Sequence, residues 1–129
     1  MNKDELKHRT KTFALRIIKL VSALPNSIQG RAIGNQLIRS GTSVGSNYRA
    51  ACRGRSKAEF VAKLGTVVAE ADESAFWLEL IIESGLLAKR RIEPLLGEAD
   101  ELVAIMVASR KSALGLSSYN RKSQIANRQ

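Results

Sequence analysis

The sequence predicts an all-α protein folded as an antiparallel up-down-up-down four-helix bundle. Three observations carry that expectation. Apolar residues recur at alternating spacings of four and three in four long segments, which places them on one face of a helix and leaves strands hard to find. The connections between the segments are short, so consecutive helices must double back on one another. Only two prolines occur in 129 residues, Pro25 and Pro94, and each falls near a segment boundary. A chain of this length holds one core. The bundle is expected over residues 1–116 and a flexible basic tail over 117–129, where apolar periodicity stops.

The first helix is expected from about Asp4 to Leu24, with Leu6, Thr10, Phe13, Ile17, Leu20 and Leu24 as its seam. Asp4 and Glu5 suit the positive end of the helix dipole. Pro25 stops the helix, because the residue before a proline avoids the α region. The second helix starts near Ser27, as N-cap, or near Gly30, and runs to about Arg53. Its seam of Ile33, Leu37, Ser40, Val44, Tyr48 and Ala51 passes straight through Gly41 and Gly45.

The third helix has the clearest start, a capping box in Ser56-Lys57-Ala58-Glu59. Phe60, Leu64, Val67, Ala71, Ser74 with Ala75, Leu78 and Ile82 continue it, and Gly85 is expected left-handed just past its end. A basic connection, Lys89-Arg90-Arg91, leads to a fourth helix over about Glu93–Leu114, with Pro94 in the first turn and Leu95, Ala99, Leu102, Met106 and Ser109 as its seam.

The run Arg39–Ser56 poses the main functional question, because its glycines could cradle a phosphate or thin a helix face. A phosphate loop needs GxxxxGK and then Ser or Thr after a strand. Here GTSVGS has the wrong spacing, no lysine and no strand before it. Glycine inside a helix costs on the order of 1 kcal/mol relative to alanine. Gly34, Gly41 and Gly45, seven and four apart, lie on one side and with Ser40 would let a neighbouring backbone approach.

Other chemistry is scarce. His8 is the single histidine and Cys52 the single cysteine. A di-iron bundle needs two Glu-x-x-His pairs. Cys52 has Arg49, Arg53 and Arg55 near it but no histidine base in its stretch of sequence. Glu70 and Glu73 fit an acidic helix face better than a metal site. No enzyme, metal or cofactor is therefore expected. No apolar run approaches the ~18 residues of a membrane span, and the N-terminus has no apolar signal core. A cytoplasmic protein without membrane contact is expected.

The net charge of +9 is unevenly spread. Residues 1–64 carry thirteen Lys/Arg and three acids, or +10; residues 65–116 carry five and nine, or −4; residues 117–129 carry three and none, or +3. A basic excess points to an anionic partner such as nucleic acid. The asymmetry equally fits attraction between the two halves, within one chain or between copies. Lys7 with Lys11, Arg49 with Arg53, then Arg55 and Lys57, and the run Lys89, Arg90, Arg91 are the candidate phosphate contacts. Ordinary solubility explains the same clusters. Gln36, Arg39, Ser43 and Asn47 on the second helix and Glu70 and Glu73 on the third could form an interior polar network, and they also fit a solvated charged face.

Several runs carry a resemblance. Gln36-Leu37-x-Arg39-Ser40-x-x-Ser43-x-x-x-Asn47, then Gly54-Arg55-Ser56-x-x-Glu59-Phe60, then Glu70-Ala71-Asp72-Glu73-Ser74 leading into Trp77-Leu78-Glu79-Leu80 together resemble the bacterial four helix bundle protein family, also called the 23S rRNA intervening-sequence protein family. The resemblance spans about residues 10–110. It implies an antiparallel bundle assembled as a ring-like homopentamer. It also implies kinship with the accessory variability protein of diversity-generating retroelements, a basic pentamer thought to engage a reverse transcriptase and nucleic acid. Many members have Asn-Ile-Ala-Glu-Gly where this chain has Asn47-Tyr48-Arg49-Ala50-Ala51. Ala50 replaces the acid, so any role of that carboxylate is missing here.

Overall fold

The computed structural model describes residues 1–115; the tail expected over 117–129 lies outside the described residues. The described chain forms helices α1 (Lys3–Ser22), α2 (Ile28–Cys52), α3 (Lys57–Glu83) and α4 (Lys89–Ala113). Sequential neighbours pack closely, α1 and α4 make far fewer close backbone contacts, and none joins the diagonal pairs. This is the expected four-helix bundle, with the helices in sequence order around the core.

The helix ends follow local chemistry. Asn2 caps α1 by accepting from the Glu5 amide at 2.8 Å, and Ser27 caps α2 by accepting from the Gly30 amide at 3.0 Å. Ser56 accepts from the Glu59 amide at 3.1 Å. The Glu59 carboxylate accepts from the Arg55 amide at 2.7 Å rather than from the cap residue itself, so the expected box is displaced by one residue. Gly85 is left-handed, with φ of 74°. Its amide and that of Leu86 bond the carbonyls of Ile82 and Ile81, which completes a Schellman motif.

Two boundaries differ from expectation. Helix α1 ends at Ser22, two residues before Leu24. Helix α4 begins at Lys89, four residues early, behind an N-cap, Ala88, whose side chain makes no capping bond. The three cations expected in a connection therefore form the first turn of α4, at the end of the dipole that disfavours positive charge. Pro94 becomes the sixth helical residue, and the amide bond that position would give to the Arg90 carbonyl is missing.

The core runs along all four helices. Phe13, Ile17, Leu37, Val44, Leu64, Leu78, Ile92, Leu102 and Met106 are fully buried, each stabilising the fold by roughly 1.5–3 kcal/mol in transfer terms. Along α3 the buried stripe advances through Val61, Leu64, Val67, Ala71, Ser74, Leu78 and Ile81, while Phe60 and Ile82 are half-buried against it. A repeat tighter than 3.6 is what left-handed winding of neighbouring helices requires. Ile92, expected to precede α4, is instead its first core residue.

The glycine face of α2 receives α1. A Cβ on Gly41 would lie 2.8 Å from Ile17 Cγ1 and 2.9 Å from Cγ2, and one on Gly45 would lie 3.4 Å from the Thr10 carbonyl oxygen. The segment Arg39–Cys52 is thus continuous helix, pressed against its neighbour as the packing alternative requires.

Candidate nucleic-acid interface

Packing at Gly41 and Gly45 sets α1 and α2 close together and leaves a groove along their outer edge. It has a volume of about 330 Å³ and is lined by Lys7, Lys11 and Ala14 from α1 and Thr42, Gly45, Ser46, Arg49 and Arg53 from α2. The two cationic pairs read from the sequence, one turn apart on separate helices, converge here. No acid lines the groove. Lys7 approaches Asp4 at 3.9 Å, at the limit of an ion pair; Lys11, Arg49 and Arg53 make no ion pair among the described residues. Thr42 and Ser46 give their hydroxyl protons to the Ile38 and Ser43 carbonyls, so their oxygens remain acceptors and the cations are the groove's charged donors.

The other basic candidates separate. Arg55 shares an adjacent hollow of about 330 Å³ with Arg53, Glu59 and Lys63. Lys57 is exposed at the first residue of α3. Lys89, Arg90 and Arg91 are exposed at the start of α4, and Lys89 is held by Glu93 at 3.4 Å. Arg91 faces a different groove, of about 390 Å³, between α1 and α4, with Arg16, Lys19, Leu20, Pro94 and Leu95. Sequence reasoning missed Arg16 and Lys19. Their signal was present: they lie three apart on α1, on the flank of its seam away from Lys7.

The six residues of the expected polar network are divided. Arg39 joins Glu70, at 3.2 Å, and Glu73. Glu73 also accepts from the Trp77 indole N–H at 3.1 Å. Hydrogen bonding to Glu73 raises the Arg39 pKa further above its ordinary value. This group sits at the surface, with the Arg39 side chain 48% exposed. Asn47 donates to the Ser43 carbonyl and Ser43 to the Arg39 carbonyl, both within α2, and Gln36 is exposed. The interior polar contact between α2 and α3 is instead Ser74 donating to Ser40 at 3.0 Å, with Ser40 donating to the Leu37 carbonyl. Both serines are fully buried.

An ion pair that the sequence did not announce closes α1 against α4. Arg9 gives two hydrogen bonds of 2.7 Å to Glu98 and lies 3.4 Å from Glu101. The hydrogen bond to Glu98 raises the Arg9 pKa, against the opposing effect of burial. Arg9 is thereby withdrawn from the pool of cations open to a ligand. Cys52 is a half-buried free thiol next to Tyr48, whose phenol is pushed up in pKa first by burial and then by Cys52.

The pattern of the 23S rRNA-intervening sequence protein matches residues 3–108, which is nearly the whole bundle. The chain belongs to that family. A solved structure from Bacteroides thetaiotaomicron, a protein with unknown function from the S23 ribosomal protein family, superposes with a TM-score of 0.80 at 32% identity, covering 86% of this chain and 99% of that one. No curated protein matches the chain significantly. For this member of the 23S rRNA-intervening sequence family, the helix packing described above is the shared four-helix fold. Among the described residues no helix is long and apolar enough to cross a membrane.

Proposed function

We propose that this protein is a non-enzymatic, oligomeric, cytoplasmic bundle that binds RNA or DNA weakly and without sequence preference through the α1/α2 groove. One observation carries the reading: Lys7, Lys11, Arg49 and Arg53 converge on a groove lined by no acid. Cations so placed neutralise phosphates and release counterions, at about 0.9 log units of affinity per log unit of salt for each phosphate on duplex DNA. Such contacts position a backbone without reading bases. The excess of +10 over residues 1–64 against −4 over residues 65–116 also supports assembly, in which the basic face of one copy meets the acidic face of the next. A closed ring of five, the arrangement the family resemblance implies, is such a heterologous contact.

A second reading, a protein-interaction adaptor whose charges serve assembly, is favoured by Phe76. Its ring is half-exposed on α3 and stands edge-on to Trp77 at 5.1 Å, an apolar feature suited to a protein partner, a reverse transcriptase being the kind the resemblance implies. The substitution pair Arg49→Glu/Arg53→Glu separates the readings. Light scattering gives the mass of the eluting species, and the 260/280 absorbance ratio of the same peak reports bound nucleic acid. Release of nucleic acid with the protein oligomer intact supports binding; dissociation supports assembly.

A further inference from the structure

The α1/α2 groove accounts for four of the cations on this side of the bundle and leaves Arg16, Lys19 and Arg91 without a role. They line the groove between α1 and α4 with Leu20, Pro94 and Leu95, are all exposed, and make no ion pair among the described residues. Of the acids of α4 close to them, Glu93 is held by Lys89, and Glu98 and Glu101 are taken up by Arg9. Helices α1 and α4 make far fewer close backbone contacts than the sequential neighbours do, and the groove lies between them. The two cationic grooves therefore flank a single helix, α1, which carries no acid from Leu6 to Ser22.

Resting on the nucleic-acid reading above, we propose that the ligand is double-stranded: phosphates of one strand lie in the α1/α2 groove and phosphates of the other lie against Arg16, Lys19 and Arg91. Two observations select a duplex over a single strand. Sequence-independent single-strand sites hold their ligand by stacking bases on aromatic rings, and neither groove has an aromatic residue in its lining. The two cation sets are separated by the width of α1, about 10–12 Å with its side chains, and they are offset along it by the nine residues from Lys7 to Arg16, or about 14 Å. A single strand following one groove would leave the other set unused. Two backbones either side of a duplex groove, about 12 Å wide for the major groove of B-DNA, meet both. The outer face of α1 between the grooves presents Leu15 and Ile18, 59% and 44% exposed, so no negative charge repels the duplex there.

The test uses the full chain, a 20-base-pair DNA duplex, an RNA duplex of the same sequence and the matching single strands, with affinity measured by anisotropy across a salt series. Arg16→Ala/Arg91→Ala is expected to lower the slope of log affinity against log salt on duplex DNA by about 1.8, at 0.9 for each phosphate no longer neutralised, and to leave single-strand binding unchanged. Lys19→Ala gives about half that change and serves as the milder variant, with melting curves confirming that each still folds. An unchanged duplex slope, or single strands bound as tightly as duplexes, overturns the proposal while leaving the α1/α2 reading intact, provided Arg49→Ala/Arg53→Ala lowers the slope. No binding to any of the four probes at low salt overturns both. The relative affinity of the RNA and DNA duplexes identifies which nucleic acid the surface prefers.

Discussion

Along its α2 side, α1 lays Ile17 and Thr10 against a helix stripped of side chains at Gly41 and Gly45. Along its α4 side, close backbone contacts are few and Arg9 pairs with Glu98 and Glu101. The first seam is steric and apolar, so its strength depends on shape. The second is ionic, so its strength depends on both partners being present. The same contrast separates the cations. Those that found an acid on a neighbouring helix, Arg9 and Arg39, hold helices together. Those with no acid on a neighbouring helix, on the outer edges of both seams, are open to a ligand. Residue type does not decide which role an arginine takes; the neighbouring helix does.

The largest effect that would sharpen the contrast is steric. Gly41→Val should cost about 2–3 kcal/mol in urea unfolding, because its Cβ must enter space held by Ile17 and a packed core yields little. Gly41→Ala should cost less, about 1 kcal/mol, since better helix propensity offsets part of the clash. An alanine variant as stable as the parent would mean the close approach is not needed. Next is the ionic seam. Arg9→Met should cost about 1–3 kcal/mol by leaving Glu98, with its side chain only 14% exposed, without its partner. Adding Glu98→Met should restore most of that stability, because an apolar pair avoids the cost of dehydrating charge. If the double variant is no better than the single, the pair is not acting as a unit.

A smaller effect tests the start of α4. Pro94→Ala should raise stability by about 1 kcal/mol, a fraction of the ~3 kcal/mol cost of an interior proline, because the position lies near the helix end. The smallest change belongs to Arg39→Ala. It should leave the melting temperature nearly unchanged, since exposed ion pairs contribute little. A destabilisation as large as that from Arg9→Met would erase the distinction between the buried-edge and surface pairs.

Much of this was legible in the sequence, and the reasons differ by residue. Helix caps at Ser27 and Ser56 and the left-handed Gly85 are local, so a few neighbouring residues specify them. The glycine face of α2 was legible because a helix that tolerates Gly41 and Gly45 needs something to offset their cost. Lys7 with Lys11, and Arg49 with Arg53, were readable as pairs, but their convergence depended on α1 and α2 packing edge to edge. The start of α4 was misplaced because Pro94 looked like a first-turn residue, and with it Ile92 was left out of the core. Arg9 with Glu98 was beyond local reasoning: 89 positions separate them, and nothing in either neighbourhood marks the other. The interior polar contact fell to Ser40 and Ser74, whose short side chains fit between helices. The longer Arg39, Glu70 and Glu73 reached the surface, where water solvates them.

The central claim is that the cations lining the grooves on either side of α1 are there for phosphate, and the salt dependence of duplex binding by the unaltered protein tests it most directly. The account predicts measurable binding at low salt and an affinity that falls steeply as salt rises, with a slope of about 3 or more if the four α1/α2 cations each hold a phosphate. A flat salt dependence, or no retention of nucleic acid at low salt, would contradict it.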